Sequence, residues 1–168
     1  MAIKLYRGLS VSGHEYRAGD TVQWWAIYPF FIIHMGIFGA SGFLMAYAAD
    51  VDTTFLFVHG GIAIIVYLVF YWAIFGPDTI RWLFIDTALG LFGIVAQLGW
   101  ILAIFDKGLA DYDPIRHVIP FIYYVLYTFL LHQAVLDFTG SREDSEKRKR
   151  VDWVYAGLSV LTYTALIF

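Results

Sequence analysis

The sequence predicts an all-α integral membrane protein, a bundle of five transmembrane helices with its N-terminus cytoplasmic and its C-terminus external. Three observations carry that expectation. The 168 residues are 60% hydrophobic and 15% charged, with a mean hydropathy of +0.67, whereas a soluble domain is nearer half apolar and about a quarter charged. The charges fall in short clusters between apolar runs of spanning length, roughly 20 residues. The basic clusters also alternate across the predicted spans, so that nine Lys and Arg fall on one side of the membrane and two on the other.

The elements follow in order. Residues 1–22 carry Lys4, Arg7, Glu15, Arg17 and Asp20 and lack the apolar stretch of a cleavable signal peptide. With turn chemistry at Ser12-Gly13 and Ala18-Gly19-Asp20, they read as a short ordered cytoplasmic segment at the membrane surface. Residues 23–168 read as a single transmembrane domain. The first span, 23–49, contains no Asp, Glu, Lys or Arg. The second is 53–75, and Gly76-Pro77-Asp78-Thr79 turns the chain into the third, because proline stops one helix before the next begins. That third span, 80–105, is interrupted by Asp86. A polar loop leads to the fourth, 117–138. A charged loop of mixed sign, around Arg142 to Arg150, leads to the fifth, 151–168. The apolar part of this last run, 153–168, has 16 residues, about 24 Å of helix. It therefore needs Val151 and Asp152 to reach across a core of ~30 Å.

Lys4, Arg7, Arg17, Arg81, Arg142, Lys147, Arg148, Lys149 and Arg150 share one face of this arrangement, and Lys107 and Arg116 the other. Aromatic residues mark the same boundaries. Trp24, Trp25, Tyr28, Tyr71, Trp72, Trp82, Trp153 and Tyr155 fall at inner ends, Tyr47 and Trp100 near outer ones.

Several functions are excluded or disfavoured. The chain has no cysteine, which rules out disulfides, thiolate metal sites, Fe–S clusters and c-type haem attachment. No lysine lies in a span, so no retinal Schiff base can form. Nucleotide-binding motifs and nucleic-acid-binding patches are lacking. The missing catalytic apparatus argues against a self-sufficient enzyme, and the missing inverted repeat against a stand-alone secondary transporter.

Ionisable groups inside a membrane are costly, and each raises a functional hypothesis. His34 and His59 occupy similar settings, "FFIIHMGIF" and "FLFVHGGIA". By residue count they lie roughly 17 and 21 Å from the inner face, on antiparallel neighbours. Imidazole is a common metal ligand. Phe30, Phe31, Phe55 and Phe57 could surround a flat macrocycle, and Gly36, Gly39, Gly42, Gly60 and Gly61 could clear space for it. Ser41 is the one nearby polar partner for His34. These residues point to axial ligation of a tetrapyrrole, haem or bacteriochlorophyll, or to contacts with a quinone. Hydrogen bonding of each ring to a neighbouring helix is the alternative.

A second layer lies roughly 9 Å deep. Asp86, Gly90, Gly93 and Gln97 share one face of the third span, and Tyr124, Thr128 and His132 one face of the fourth. If the faces meet, Asp86 could accept a hydrogen bond from His132. That arrangement would be a structural clasp, a proton or ion path through Asp86, Gln97 and His132, or a further ligand contact at His132. Asp137, His117 and His14 are expected to be solvated.

The function these features favour is a small integral subunit of a multi-subunit bioenergetic complex, for electron transport or photosynthesis. Its partners would be lipid and other membrane subunits, in a bacterial inner or derived membrane. A small proton-coupled transporter or channel using Asp86 and His132, and a ligand-free scaffold or assembly subunit, are the alternatives.

Overall fold

The computed structural model describes residues 2–11, 13–48 and 51–168, with the backbone alone for 11 and 78–80. Ser12 of the expected first turn and the outer end of the expected first span, at 49, lie outside the described residues.

The N-terminal segment is a nested β-ribbon. Strand β1 (Ala2–Lys4) pairs antiparallel with β4 (Thr21–Gln23), and between them β2 (Leu9–Val11) pairs with β3 (His14–Tyr16). Ile3 and Leu5 turn inward and are buried. The ribbon also closes the end of the second helix, α2 (Thr53–Phe75). The Tyr6 and Arg7 amides donate to the carbonyls of Ile74 and Ala73, at 3.3 and 2.9 Å. A helix leaves its last carbonyls unpaired, and here the ribbon supplies two donors. Gly76 follows with φ 73°, and a Cβ there would stand 2.6 Å from the Tyr6 ring. Both the backbone and the close approach of Tyr6 require glycine.

Helix α1 (Trp24–Tyr47) precedes α2, whose N-terminus is capped by the Asp52 carboxylate accepting from the Thr54 amide at 3.1 Å. After the turn at Gly76 and Pro77, α3 (Asp78–Gly93) passes through a π-helical turn, Ile94–Leu98, into α4 (Gly99–Ala103). Short 3₁₀ turns at Leu109–Asp111 and Pro114–His117 lead into α5 (Val118–Phe138), and α6 (Ser145–Ile167) completes the bundle.

Four stretches are long and apolar enough to cross a membrane: Trp24–Tyr47, Thr53–Phe75, Arg81–Ala103 and Pro114–Phe138. The protein is thus mostly helical, with the character of a multi-pass membrane protein. The fifth expected span falls on α6. This helix is continuous over 23 residues, but six of its first eight are charged, from Glu146 to Asp152. Only its C-terminal part has the apolar character of the other four.

Helix α5 is the axis of the bundle. It packs against α1, α2, α3 and α6 and buries 56% of its span, against 28–33% for the other three. Tyr71, Phe129, Leu126, Leu130 and Ile119 form the centre of the core. Outward faces of α1 and α2 present Ile33, Ile37, Val58, Ile62, Ile65 and Val69, side chains suited to lipid contact.

Candidate functional site

His34 and His59 line one groove between α1 and α2, with a volume of about 320 Å³. The helices run antiparallel, so Phe31 on α1 meets Phe70 on α2, while Phe38 meets His59 and Tyr67. This brings the two imidazoles to the same outward-facing surface, although they come from helices of opposite direction. His34 is exposed and His59 half-buried. The His34 ring lies 4.2 Å from that of Phe30 and 6.5 Å from that of Phe38. His59 lies 6.1 Å from Phe38 and stacks on Phe55 at 6.0 Å. Phe38 is the ring that both imidazoles touch.

No described residue hydrogen-bonds to either imidazole. Ser41 does not bond to His34, and no neighbouring helix supplies a partner. The two rings share the groove through Phe38.

The glycines do not serve the groove as expected. Gly42 and Gly60 admit Tyr123 and Ile119 of α5, whose side chains would stand 3.2 and 2.5 Å from an added Cβ. Gly36 and Gly39 line a different recess, facing α5 and the π turn. The groove is walled instead by Phe30, Phe31, Phe38, Ala63, Tyr67 and Phe70. Of the four expected phenylalanines, Phe57 lies away from it.

The inner layer assembles on α3, α5 and α6, with different partners from those expected. His132 is wholly buried, and its Nε2 lies 3.0 Å from Asp152 Oδ1 on α6. Its other nitrogen is 3.4 Å from the Gln133 amide. The ring stacks on Trp82 at 3.7 Å, and Tyr155 meets its edge. The expected His132–Asp86 hydrogen bond is absent. Asp86 is fully buried, and neither oxygen has a hydrogen-bond partner among the described residues. The two helical faces do meet, with Val125 and Tyr124 packed into the spaces left by Gly90 and Gly93. Those glycines are thus filled by α5. Gln97 sits in the π turn and is only half-buried. The wide turn breaks the regular helical register that would continue the Asp86 face to Gln97.

Asp137 is buried rather than solvated, and His117 is half-buried and held at both ring nitrogens. Asp137 is 6% exposed and pairs with Arg142, whose Nε and Nη2 reach its two oxygens at 2.5 and 3.0 Å. The Tyr28 hydroxyl also donates to Asp137. Arg142 Nη1 donates to the Gln133 side chain at 2.8 Å, and its guanidinium lies over the Phe75 ring. Burial disfavours the charge on Arg142, but the hydrogen bond and charge of Asp137 outweigh it, holding the guanidinium above its ordinary pKa. His117 is clamped between the Tyr47 hydroxyl, 2.8 Å from Nδ1, and the Leu109 carbonyl, 3.1 Å from Nε2. His14 is exposed, as expected.

By sequence Arg142 belongs to the charged loop of mixed sign. A local signal was present in "LDFTGSR". Gly140, at φ 65°, ends α5 with its amide bonded to the Asp137 carbonyl, while the Ser141 amide bonds to that of Leu136. This is a Schellman end, and it folds the next residue back along the helix it terminates.

Among the described residues, no three His, Asp or Glu side chains come together as a metal-binding group. Ligation of a tetrapyrrole metal by a single imidazole requires no such cluster. Comparison of the chain with protein-family models, with curated proteins and with solved structures finds no match.

Proposed function

We propose that this chain is a small integral subunit of a multi-subunit bioenergetic complex, holding a tetrapyrrole in the groove between α1 and α2. His34 and His59 are the candidate axial ligands in this proposal. One observation carries it: two imidazoles without hydrogen-bond partners lie in one aromatic groove on the outer face of apolar helices. In hydrocarbon, an unpartnered polar group is costly, by several kcal/mol for each unmet hydrogen bond. A metal coordinated to the ring, with a neighbouring subunit closing the groove, relieves that cost. Stacked phenylalanines suit the faces of a macrocycle. A quinone accepting a hydrogen bond from imidazole is the alternative occupant.

In this proposal α6 is the fifth crossing, with its charged first turns at the inner headgroups. The N-terminus is then cytoplasmic and the C-terminus external, in a bacterial inner membrane or one derived from it. The nine-to-two asymmetry of Lys and Arg supports this orientation.

The test is the visible absorption spectrum of the complex purified gently from its own membrane, with quinone extraction on the same sample. A Soret band weakened by His34→Ala or His59→Ala is the expected result. Quinone recovered without colour, and lost in those variants, would assign the groove to quinone. A folded preparation lacking both overturns the proposal. Cysteine labelling from each side of the membrane, at positions 14 and 168, tests the orientation.

A further inference from the structure

The inner layer contains an unexplained carboxyl. Asp86 sits on α3 with no exposed surface and, among the described residues, no hydrogen-bond partner for either oxygen. One turn earlier on the same face, the Trp82 Nε1 is also buried without a partner. Two polar groups one turn apart are thus buried without a hydrogen-bond partner among the described residues. A buried carboxyl must be matched by a positive charge, a proton or a metal cation. A metal ion needs several oxygen ligands. The Tyr124 and Tyr155 hydroxyls lie within electrostatic range of Asp86. Both are committed elsewhere, Tyr124 to the Tyr163 hydroxyl and Tyr155 to the Thr128 carbonyl. A proton requires no further ligands.

A chain of side chains also leads inward from the charged start of α6 as far as His132. Asp152 is 17% exposed at the charged end of α6 and contacts His132 Nε2 at 3.0 Å. His132 stacks on Trp82, and Asp86 follows Trp82 by four residues, about 6 Å along the helix. We propose that Asp86 is a proton-binding carboxyl, reached from the membrane surface through Asp152 and His132. One proton is taken up from water and released by the same path, with no bond made or broken other than those to hydrogen. The ionisable groups around the path are Tyr124 and His132 on α5, Asp152, Tyr155 and Tyr163 on α6, and Arg148, whose charge acts on His132. This proposal is independent of any ligand at His34 or His59.

The experiment uses the full chain in lipid vesicles and dicyclohexylcarbodiimide, an apolar reagent for protonated carboxyls. Modified residues are mapped by mass spectrometry. The expected result is modification at Asp86, with no protection by sodium. Infrared spectroscopy should show the carbonyl band of a protonated acid, lost in Asp86→Asn and shifted in Asp86→Glu. On transfer to D₂O the band shift should be several-fold slower in Asp152→Asn and in His132→Gln, and unchanged in Glu146→Gln. Mapping on the natural chain needs no variant, so a misfolding Asp86→Asn does not remove the test. Protection by sodium would overturn the assignment in favour of a metal cation. Failure to modify Asp86, or exchange at the natural rate in both path variants, overturns the proposal.

Discussion

Replacing Arg142 with Met should destabilise the bundle by about 3 kcal/mol, near the low end of the cost of breaking a buried ion pair. The side chain makes charge-assisted bonds to both Asp137 oxygens and a further bond to Gln133. Its removal leaves a carboxylate with a 7% exposed side chain facing only Tyr28. Leaving a buried charge unmatched in this way costs about 3–5 kcal/mol. Arg142 itself is 24% exposed, so water reaches one side of the pair and favours the lower figure. Asp137→Asn in the same background removes the stranded charge while keeping an acceptor for Tyr28. The double variant should therefore recover about 2 kcal/mol, within the usual range of coupling between contacting residues. Reversible unfolding of the purified chain in mixed micelles, on a four-variant cycle, measures both quantities. An Arg142→Met loss below about 0.5 kcal/mol, the level of an ordinary surface change, would refute the reasoning. So would a double variant no more stable than Arg142→Met alone.

Gly60→Ala places a methyl 2.5 Å from Ile119 Cγ2 at the α2–α5 contact and should cost about 1–3 kcal/mol through overpacking. Ile119→Val, which removes a methyl from the same crowded site, should recover part of that loss in the same unfolding assay. At the start of α6, the Lys147 and Glu146 amides bond to the Asp144 carboxylate and hold it below its usual pKa. Its stabilising effect is therefore complete above the ordinary carboxylate range and fades as pH falls through the lowered value. The far-ultraviolet helix signal and thermal midpoint of the natural chain should fall more on acidification than those of Asp144→Asn, and equal falls would count against the cap.

The apolar spans were legible because helix length and charge placement are local properties. The turn at Gly76-Pro77 and the first four spans stand within a few residues of their expected limits. The α3–α5 contact was legible too, since Gly90 and Gly93 recur at helical spacing and need a large partner, which Tyr124 and Val125 supply. The polar pairings were not. The Asp152–His132 contact joins residues 20 apart across a charged loop, and the competing Asp86–His132 pair was equally compatible with depth counted along straight helices. The π turn at Ile94–Leu98 has no proline or charge to announce it, yet it interrupts the face that would carry Gln97. Arg142 was obscured by its basic neighbours, although the Gly140 signal after α5 was available to separate it from them.

The two unexplained polar sites lie in different parts of the bundle, and this separates their chemistry. His34 and His59 are on the outer surface of α1 and α2, where a ligand or a second subunit can cover them without moving any helix. Asp86 is enclosed by α3, α5 and α6, with no exposed surface and with Tyr124 and Tyr155 within electrostatic range. The cofactor proposal therefore concerns the open first site and the proton proposal the enclosed second. Between them stands α5, whose Ile119, Tyr123 and Leu126 are buried against α1 and α2, while Tyr124, Val125 and Thr128 meet α3 and α6. Substitutions confined to the outward imidazoles should leave Asp86 modification unchanged, and Asp86→Asn should leave any Soret band in place. Simultaneous loss of both signals in a folded variant would show instead that α5 couples the sites, and would join the two proposals into one mechanism.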